Sequence, residues 1–342
     1  MPVTIKDIAR ESGYAVGTVS RVLNNHPDVS ETARKKIMEV VNKYNFRINN
    51  NAKHLKQHIS NAVAVVVKGS QNMLFAPIVE QLQSGIRQKG YDCLIYYINE
   101  NENEVEQAVQ VCVERRPVGI LFLGSNHRYF RQQFDQIKVP CVMVTNSALR
   151  LSFDNLSSVS TDDAAAAKAA IQHLIDAGHR KIGILGGYLE KSRAAITRFE
   201  GCKEAFKENN LEFDFNTDYQ GALFSVTRGY EAMNRLLDRD TRLTAVFAMS
   251  DVMAIGAVRA ITDRGLKVPQ DISVIGFDGI EMIDYLVPKL ATIRQNREEI
   301  ARQSIEVLMQ AIHGSAGAVH RVVPFEIITG ESTKRLYSEE NK

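Results

Sequence analysis

The chain has 342 residues, of which 44% are hydrophobic and 24% charged, with 21 glycines and 8 prolines. This composition is typical of a globular protein and excludes a disordered chain, a collagen-like repeat and a disulfide scaffold. The length exceeds what one ordinary core fills, so we expect two or three domains. No apolar run reaches the roughly 20 residues of a membrane-spanning helix, and the first residues do not form a signal peptide. The sequence therefore predicts a cytoplasmic protein with no membrane partner.

Neither the cysteines nor the histidines are spaced as metal ligands or as a redox pair. The sequence has no Cys-x-x-Cys pair, and its cysteines lie in apolar or helical surroundings where a thiol packs as a small hydrophobe. The eight histidines are too dispersed to complete a zinc site. We therefore expect buried, reduced thiols and no bound metal. The cysteines are Cys93, Cys112, Cys141 and Cys202.

Positive charge is concentrated at the N-terminus. The whole chain carries +2, but residues 1–58 contain ten lysines and arginines and five acidic residues. This segment therefore carries +5 and the rest of the chain −3. A basic head on a mildly acidic body indicates that the head contacts a polyanion. An exposed helical face without a ligand would have the same composition, so the charge alone does not establish a polyanion contact and the fold of the head must be considered.

The head has the pattern of three short helices. Thr4 and the acidic residue three positions later form a capping box, which predicts a first helix that ends at Gly13. Residues 16–23 form a second helix, and Ser30 is the N-cap of a third that continues to about Tyr44. Two helices around a tight turn are typical of a helix-turn-helix domain. The polar side of the second helix suits the major groove, where hydroxyl, guanidinium and amide groups bond base edges and phosphates.

Several short stretches of the head match one known family. They are Val3-Thr4-Ile5-Lys6-Asp7-Ile8-Ala9, Gly13, Thr18-Val19-Ser20-Arg21-Val22-Leu23-Asn24, Val29-Ser30 and Ala52-x-x-Leu55. With these stretches the chain resembles the lactose-repressor (LacI/GalR) family of bacterial transcription regulators, and the resemblance continues through almost the whole chain. It implies DNA contacts from Thr4, Val16, Gly17, Thr18, Ser20, Arg21, Asn24, Ser30, Asn49, Ala52, Lys53 and Leu55.

The resemblance also implies the order of the domains. A helix-turn-helix domain would occupy residues 1–48, a hinge 49–60, an effector-binding and dimerisation core 61–330, and a C-terminal tail 331–342. In the family the segment matching Asn50–Lys56 becomes a short helix on DNA, where paired leucines open the minor groove. Leu55 suits such an apolar wedge, with an ordinary linker leucine as the alternative. Because isolated helices in water need about 12–15 residues, we expect the hinge to fold only with DNA and a partner subunit.

The second helix departs from the family pattern at its start. Ala15 stands where the family usually has serine, so the helix lacks a side-chain N-cap, and Gly17 weakens it by about 1 kcal/mol relative to alanine. Neither Val16 nor Gly17 can hydrogen-bond a base through its side chain. We therefore expect base readout to depend on Arg21, on methyl contacts from Val16 and on the deformability of the DNA.

From Ala62 onward apolar strands alternate with amphipathic helices, which predicts parallel sheets with ligands outside the carboxyl ends of the strands. The resemblance implies two lobes like those of periplasmic sugar-binding proteins, joined by several crossovers. We place one lobe at about 62–160 plus 291–321 and the other at about 161–290 plus 322–330. The predicted fold class is a small all-α helix-turn-helix head plus an α/β two-lobed, periplasmic-binding-protein-like core with parallel sheets.

The candidate effector site collects residues that follow predicted strands. In the family the arginine that matches Arg198 contacts ligand oxygens, and Phe224 matches a position that often presents an aromatic ring. Carboxylates and guanidinium groups bind neighbouring hydroxyls, and a phenyl face packs on the C–H surface of a sugar. For Asp251 and Phe277, capping and packing are equally good interpretations. The candidates are Phe75, Ser125, Arg198, Phe224, Ser250, Asp251, Phe277 and Asp278.

The sequence contains no recognisable catalytic or cofactor motif. The glycines at Gly183, Gly186 and Gly187 do not form a dinucleotide fingerprint, and no lysine-containing phosphate loop occurs. The pair Asp162-Asp163 precedes an alanine-rich helix, and we interpret it as an N-terminal cap. The sequence therefore predicts neither an enzyme nor a bound cofactor.

These observations predict a ligand-responsive repressor of carbohydrate-use genes. A dimer would bind near-palindromic operator DNA, and a small sugar or sugar phosphate would control it allosterically. The dimer is expected because the final residues, Leu336–Lys342, lack the leucine heptads of the family's tetramers. Two alternatives stay open: a cytoplasmic sugar-binding receptor without direct gene control, and an α/β enzyme such as a dehydrogenase, against which the missing fingerprint argues.

Overall fold

The computed structural model divides the chain into two compact units, Met1–Ser60 and Asn61–Lys342. The structure describes residues 5–23, 28–44, 61–69, 72–190, 192–239, 242–314 and 317–336. The predicted hinge and the end of the tail lie outside these residues. The same holds for six of the predicted DNA contacts, namely Thr4, Asn24, Asn49, Ala52, Lys53 and Leu55.

The described part of the first unit is helical, as the capping signals predict. Its helices are α1 (Ile5–Ser12), α2 (Val16–Leu23) and α3 (Glu31–Lys43). Gly13 has φ +74° and donates its N–H to the Ala9 carbonyl over 3.1 Å, so a left-handed residue ends α1. Ser30 is confirmed as the N-cap of α3, since its Oγ accepts from the N–H of Ala33 at 3.3 Å. The small core consists of Ile8, Ala9, Val19, Val22, Ile37 and Val41.

The second unit contains two six-stranded sheets, and the first of them is parallel throughout. All seven residues of its first strand are buried, which explains why that strand is a continuous apolar run. Its strands are β1 (Ala62–Lys68), β2 (Asp92–Ile98), β3 (Gly119–Leu123), β4 (Cys141–Val144), β5 (Leu156–Thr161) and β11 (His320–Val323), and its helices are α4 (Phe75–Gln88), α5 (Glu104–Arg115), α6 (His127–Gln133) and α12 (Arg297–Ile312). The strand order is β11-β5-β4-β3-β1-β2.

The second sheet repeats this arrangement with one difference at its edge. Its order is β12-β10-β9-β8-β6-β7, and β12 runs antiparallel to β10. The strands are β6 (Ile182–Gly186), β7 (Tyr219–Gly221), β8 (Ala245–Ala248), β9 (Ser273–Asp278), β10 (Ala291–Gln295) and β12 (Phe325–Ile328). The helices are α7 (Asp163–Asp176), α8 (Arg193–Glu208), α9 (Phe215–Asp218), α10 (Val226–Arg239) and α11 (Asp251–Asp263).

Three crossovers join the two lobes, which confirms the predicted architecture. The chain passes between lobes after β5, after β10 and after β11. The predicted lobe boundaries need two corrections. The larger one arises because β10 pairs with β9 and therefore belongs to the second lobe. Residues 291–295 were predicted for the first lobe, which the chain enters again only with α12, the helix that packs on α4. The last boundary also moves slightly, since β11 pairs with β5 through Val323.

The four thiols are free, but only two of them are fully buried. Cys141 and Cys202 are buried as predicted, whereas Cys93 and Cys112 are half-buried. Burial raises the pKa of all four thiols. Within the described residues there is no group of three or more potential metal ligands, and no helix there is long and apolar enough to cross a membrane.

Gly201 allows α7 and α8 to pack closely, and this contact gives a first testable prediction. A Cβ atom at Gly201 would overlap the backbone carbonyl of Ala164. We expect Gly201→Ala to lower the free energy of unfolding by about 1–3 kcal/mol, because the two helices must separate. Urea denaturation measures the loss. Lys207→Ala, at an exposed position of the same helix, is the control and should be close to neutral; equal stability of both variants would contradict the close packing.

Candidate functional site

A cavity of about 980 Å³, its open mouth included, lies between the two lobes. Its wall contains Lys68 at the end of β1, Gly124 after β3 and Gly187 after β6. In both sheets the strand order reverses at these strands, where parallel α/β sheets bind ligands. Five of the eight predicted effector residues line the cavity, namely Phe75, Ser125, Arg198, Phe224 and Asp278.

Arg198 is the central cation of the second lobe. Its Nε donates to Asp163 Oδ1 at 2.9 Å, and its Nη1 donates to the Met249 carbonyl. The guanidinium carbon lies 3.7 Å from the ring centroid of Phe277, a cation–π contact. Nη2 lies 3.8 Å from Asp278 Oδ1. The charged head of Arg198 is therefore fixed before any ligand enters.

Asp278, in the cavity wall, has a strained backbone conformation. Its φ is +117°, a left-handed value that non-glycine residues rarely adopt. Its Oδ1 accepts from Gln295 Nε2 at 2.8 Å, and Gln295 Oε1 accepts from the Thr161 hydroxyl at 2.9 Å. Burial raises the pKa of Asp278 to about 7, although the nearby Arg198 guanidinium acts in the opposite direction. This carboxylate therefore titrates near neutral pH.

Three predicted effector residues lie behind the cavity wall, which corrects the sequence prediction. Ser250 is fully buried and caps α11, accepting from the N–H of Met253 at 3.4 Å. Asp251 accepts from the backbone of Gly279 and from Thr292 Oγ1, at 2.7 and 2.6 Å. Its pKa is raised by burial and further by the charge of Asp278. These side chains, like the buried Phe277, shape the cleft without lining it.

Ser125 has an unmet hydrogen-bonding group in the cavity wall. The residue is only 6% exposed, and its Oγ has no hydrogen-bond partner among the described residues. Buried hydroxyls in native proteins are nearly always bonded, because an unpaired one costs about 1–3 kcal/mol. Ser125 is therefore the described side chain best prepared to bond a ligand.

The sequence did not lead us to Lys68, and it gave Asp163 only a capping role. Asp162 caps α7, with its Oδ1 accepting from Ala165 at 3.0 Å, but Asp163 is 8% exposed and pairs with Arg198 instead. In the first lobe Lys68 forms a buried ion pair of 2.6 Å with Glu104. A lysine that ends an otherwise apolar strand was the available signal for Lys68.

Most α2 residues of the predicted DNA-reading face are exposed or half-buried. Val16 is 41% exposed, and Gly17 and Arg21 are also exposed, whereas Val19 and Val22 are buried. Thr18 and Ser20 are half-buried, and Ser30 serves as the α3 cap. The guanidinium of Arg21 forms a solvent-exposed ion pair with Asp28 at 2.9 Å. Such solvent-exposed ion pairs contribute little to stability.

A helix-turn-helix unit followed by a two-lobed core with a cleft is the architecture of ligand-responsive bacterial regulators. Family comparisons agree with this class. Residues 4–49 match bacterial regulatory proteins of the lacI family, and residues 171–333 match the periplasmic binding protein-like domain. The chain belongs to the LacI family of bacterial regulatory proteins. This membership confirms the prediction of a transcriptional regulator rather than an enzyme.

Individual relatives resemble nearly the whole chain. The HTH-type transcriptional regulator MalR of Clostridium butyricum is 35% identical over 335 residues, which cover 96% of this chain and 99% of MalR. The structure of a transcriptional regulator CelR–cellobiose complex has a TM-score of 0.73 at 26% identity and covers 96% of this chain and 99% of its own. The lac repressor dimer bound to operator and the anti-inducer ONPF has a TM-score of 0.77 at 25% identity, with coverage of 98% and 100%.

The raised pKa of Asp278 predicts a pH-dependent stability. Because its pKa is about 7 in the folded protein and ordinarily 3.8, the folded state holds an extra proton between these values. Asp278 should therefore contribute a fall in the unfolding free energy as pH rises from about 4 to 7, and this contribution should then level off. Asp278→Asn should make this decline shallower in thermal unfolding across that range. The exposed Asp154→Asn is the control; an unchanged slope in Asp278→Asn would show that Asp278 ionises normally.

Proposed function

We propose that this protein is a repressor that binds a near-palindromic operator as a dimer and is controlled by a carbohydrate in the cleft. The observation that carries the proposal is the cavity between the two lobes, which combines a fixed cation, a carboxylate and an unpaired hydroxyl. The lac repressor structure, a dimer bound to operator, supports the DNA-binding part. Operator DNA lies in the bacterial cytoplasm, where we place the protein.

The surface chemistry of the head supports DNA reading by α2. Arg21 is the exposed side chain able to grip guanine O6 and N7 together, and Val16 offers methyl groups for thymine. Thr18 and Ser20 supply hydroxyls on the same short helix. With Gly17 in its first turn, a phosphate backbone can approach the helix closely, because no side chain intervenes. Specificity then depends on few direct base contacts and on DNA shape.

The lining of the cavity supports a carbohydrate rather than an apolar ligand. Phe75 of the first lobe and Phe224 of the second offer aromatic surfaces for sugar C–H groups. Asp278 and Arg198 can bind neighbouring hydroxyls with charge-assisted hydrogen bonds. The CelR–cellobiose complex, in a protein of the same fold, agrees with this ligand class.

The crossovers connect the cleft to the relative orientation of the two lobes. Gln295 ends the strand before one crossover and donates to Asp278. Thr161, which ends the strand before another crossover, donates to Gln295 and so reaches Asp278 through it. A ligand that changes the hydrogen bonds of Asp278 therefore acts on two connections between the lobes. Lobe reorientation of this kind typically couples two sites by about 1–3 kcal/mol.

Arg21 provides the test of DNA reading. We expect Arg21→Ala to bind a duplex from the regulator's own upstream region and a random duplex equally at one salt concentration, because the main base contact is lost. The wild type should discriminate between the two duplexes. Gel shifts measure both affinities. Lys36→Ala removes the same charge from the exposed face of α3 and should keep the discrimination. Wild-type protein that binds both duplexes equally would favour a sugar receptor without gene control.

Ser125 provides the test of the cleft. We expect Ser125→Ala to fold with equal or greater stability, because it removes a buried hydroxyl that has no partner among the described residues. The same change should weaken the binding of the sugar found by a thermal-shift screen of sugars and purines on the full chain. Ser332→Ala is the matched control: this buried serine bonds Ala291 and Val274, so its loss should destabilise the protein. A purine hit, or unaltered affinity in Ser125→Ala, would contradict the proposed ligand or its contact.

A further inference from the structure

Three arginines, contributed by both lobes, lie near one another beside the cavity, since their charges act on the same side chain, that of His127. Arg131 lies on α6, which follows β3, and Arg150 lies in the loop after β4, both at the carboxyl edge of the first sheet. Arg193 begins α8, which follows β6 in the second sheet, and it lines the cavity. The charges of Arg131 and Arg150 act on Arg193, whose pKa is lowered by burial and then by these arginines. Both lobes therefore contribute cations to one place.

None of these three arginines forms an ion pair or side-chain hydrogen bond with any residue that the structure describes. Other arginines of the core are paired: Arg228 with Glu231, Arg264 with Asp238 and Arg302 with Glu299. The acidic groups that act on Arg193 are Glu200 and Asp163, and Asp163 already pairs with Arg198. Like charges brought together across a movable cleft oppose its closure unless an anion joins them.

The first-lobe arginines are carried by segments that are tied together. His127, at the start of α6, lies 2.7 Å by its Nε2 from the carbonyl of Ser147, in the loop that also carries Arg150. Burial lowers the pKa of His127 to about 4, so the ring is neutral and its Nε2–H donates. Arg131 and Arg150 are thus held on two linked segments.

The cavity beside these arginines offers further groups for an anion. Ser192, Arg193 and Ala194 at the N-terminus of the 16-residue α8 line it, so the positive end of the helix dipole opens on the site. Independently, the nine-tenths buried Ser125 in the same wall has an Oγ without a partner among the described residues. A hydroxyl, a helix N-terminus and several guanidinium groups are the usual protein contacts of a phosphate group.

We propose that the effector carries a phosphate ester and that Arg131, Arg150 and Arg193 bind this group at the mouth of the cleft. This inference rests on the proposed function and makes its ligand class more specific. A phosphate monoester carries a charge of about −1.5 to −2 and three acceptor oxygens, enough to engage arginines from both lobes. A carboxylate has one charge and two oxygens, and a neutral sugar would leave all three cations unneutralised. A bound phosphate would therefore relieve the repulsion between cations of the two lobes.

Inorganic phosphate on the full chain is the probe. Thermal unfolding is followed in phosphate and in chloride buffers of equal ionic strength, for the wild type, Arg193→Gln and the double variant Arg131→Gln/Arg150→Gln. We expect phosphate to raise the unfolding midpoint of the wild type. Each variant should bind phosphate at least about tenfold more weakly, because charge-assisted hydrogen bonds are lost. Arg193→Lys, which keeps the charge, should retain more of the shift than Arg193→Gln.

Arg128→Gln is the matched control, since Arg128 is exposed on α6 and does not belong to the cluster. The phosphate response of Arg128→Gln should equal that of the wild type. Because all variants keep the same basic head, phosphate bound to the head contributes equally to every response. No wild-type shift, or the same shift in Arg193→Gln and the double variant, would overturn the phosphate site. Gel shifts in chloride buffer test the repressor function separately from the phosphate site. If Arg193→Gln still discriminates between the operator and a random duplex, the repressor function is supported independently of the phosphate result.

Discussion

The buried guanidinium of Arg198 is the interaction on which the effector cleft depends. A buried charge is tolerated only when it is paired and hydrogen-bonded, so the groups around Arg198 must stay in place. These groups come from different parts of the second lobe: Asp163 begins α7, Met249 follows β8, and Phe277 belongs to β9. One side chain therefore joins three elements at the carboxyl edge of the sheet. The strained backbone of Asp278 directly after Phe277 is held by the same set of contacts.

Charge is distributed differently in the depth of the cleft and at its mouth. The first-lobe wall neutralises itself through the ion pair of Lys68 and Glu104, and Glu104 also accepts from the backbone of Asn126 at 2.5 Å. The second-lobe wall pairs Arg198 with Asp163. The mouth keeps Arg193 and its two neighbours without such compensation among the described residues. For the proposed effector, hydroxyl-binding groups inside the cleft would bind the sugar and the positive charge at the entrance would bind its phosphate.

The sequence predicted the fold well where local patterns decide the structure. Apolar runs such as β1 and the cap at Ser30 depend on neighbouring residues alone. No apolar run predicts β5, because Leu156–Thr161 contains three serines and a threonine. It is a buried strand because β4 and β11 pair with it and α12 packs on it. The role of Asp163 could not be deduced from its position at a helix start, since its partner Arg198 is brought to it by tertiary packing. For Asp251 the chain position was informative, but the direction of the side chain depends on the turn after β9.

The hydrogen bonds of Gln295 restrict what an effector can present to the back of the cleft. The amide has one oxygen and two N–H groups; the oxygen accepts from Thr161, and one N–H is donated to Asp278. The remaining N–H can only donate, so a ligand atom that bonds it must be an acceptor. For the proposed sugar effector, the stereochemistry at one carbon would then matter: a hydroxyl in this place would bond a residue that is linked to both interlobe connections, whereas an epimer with a C–H there would not.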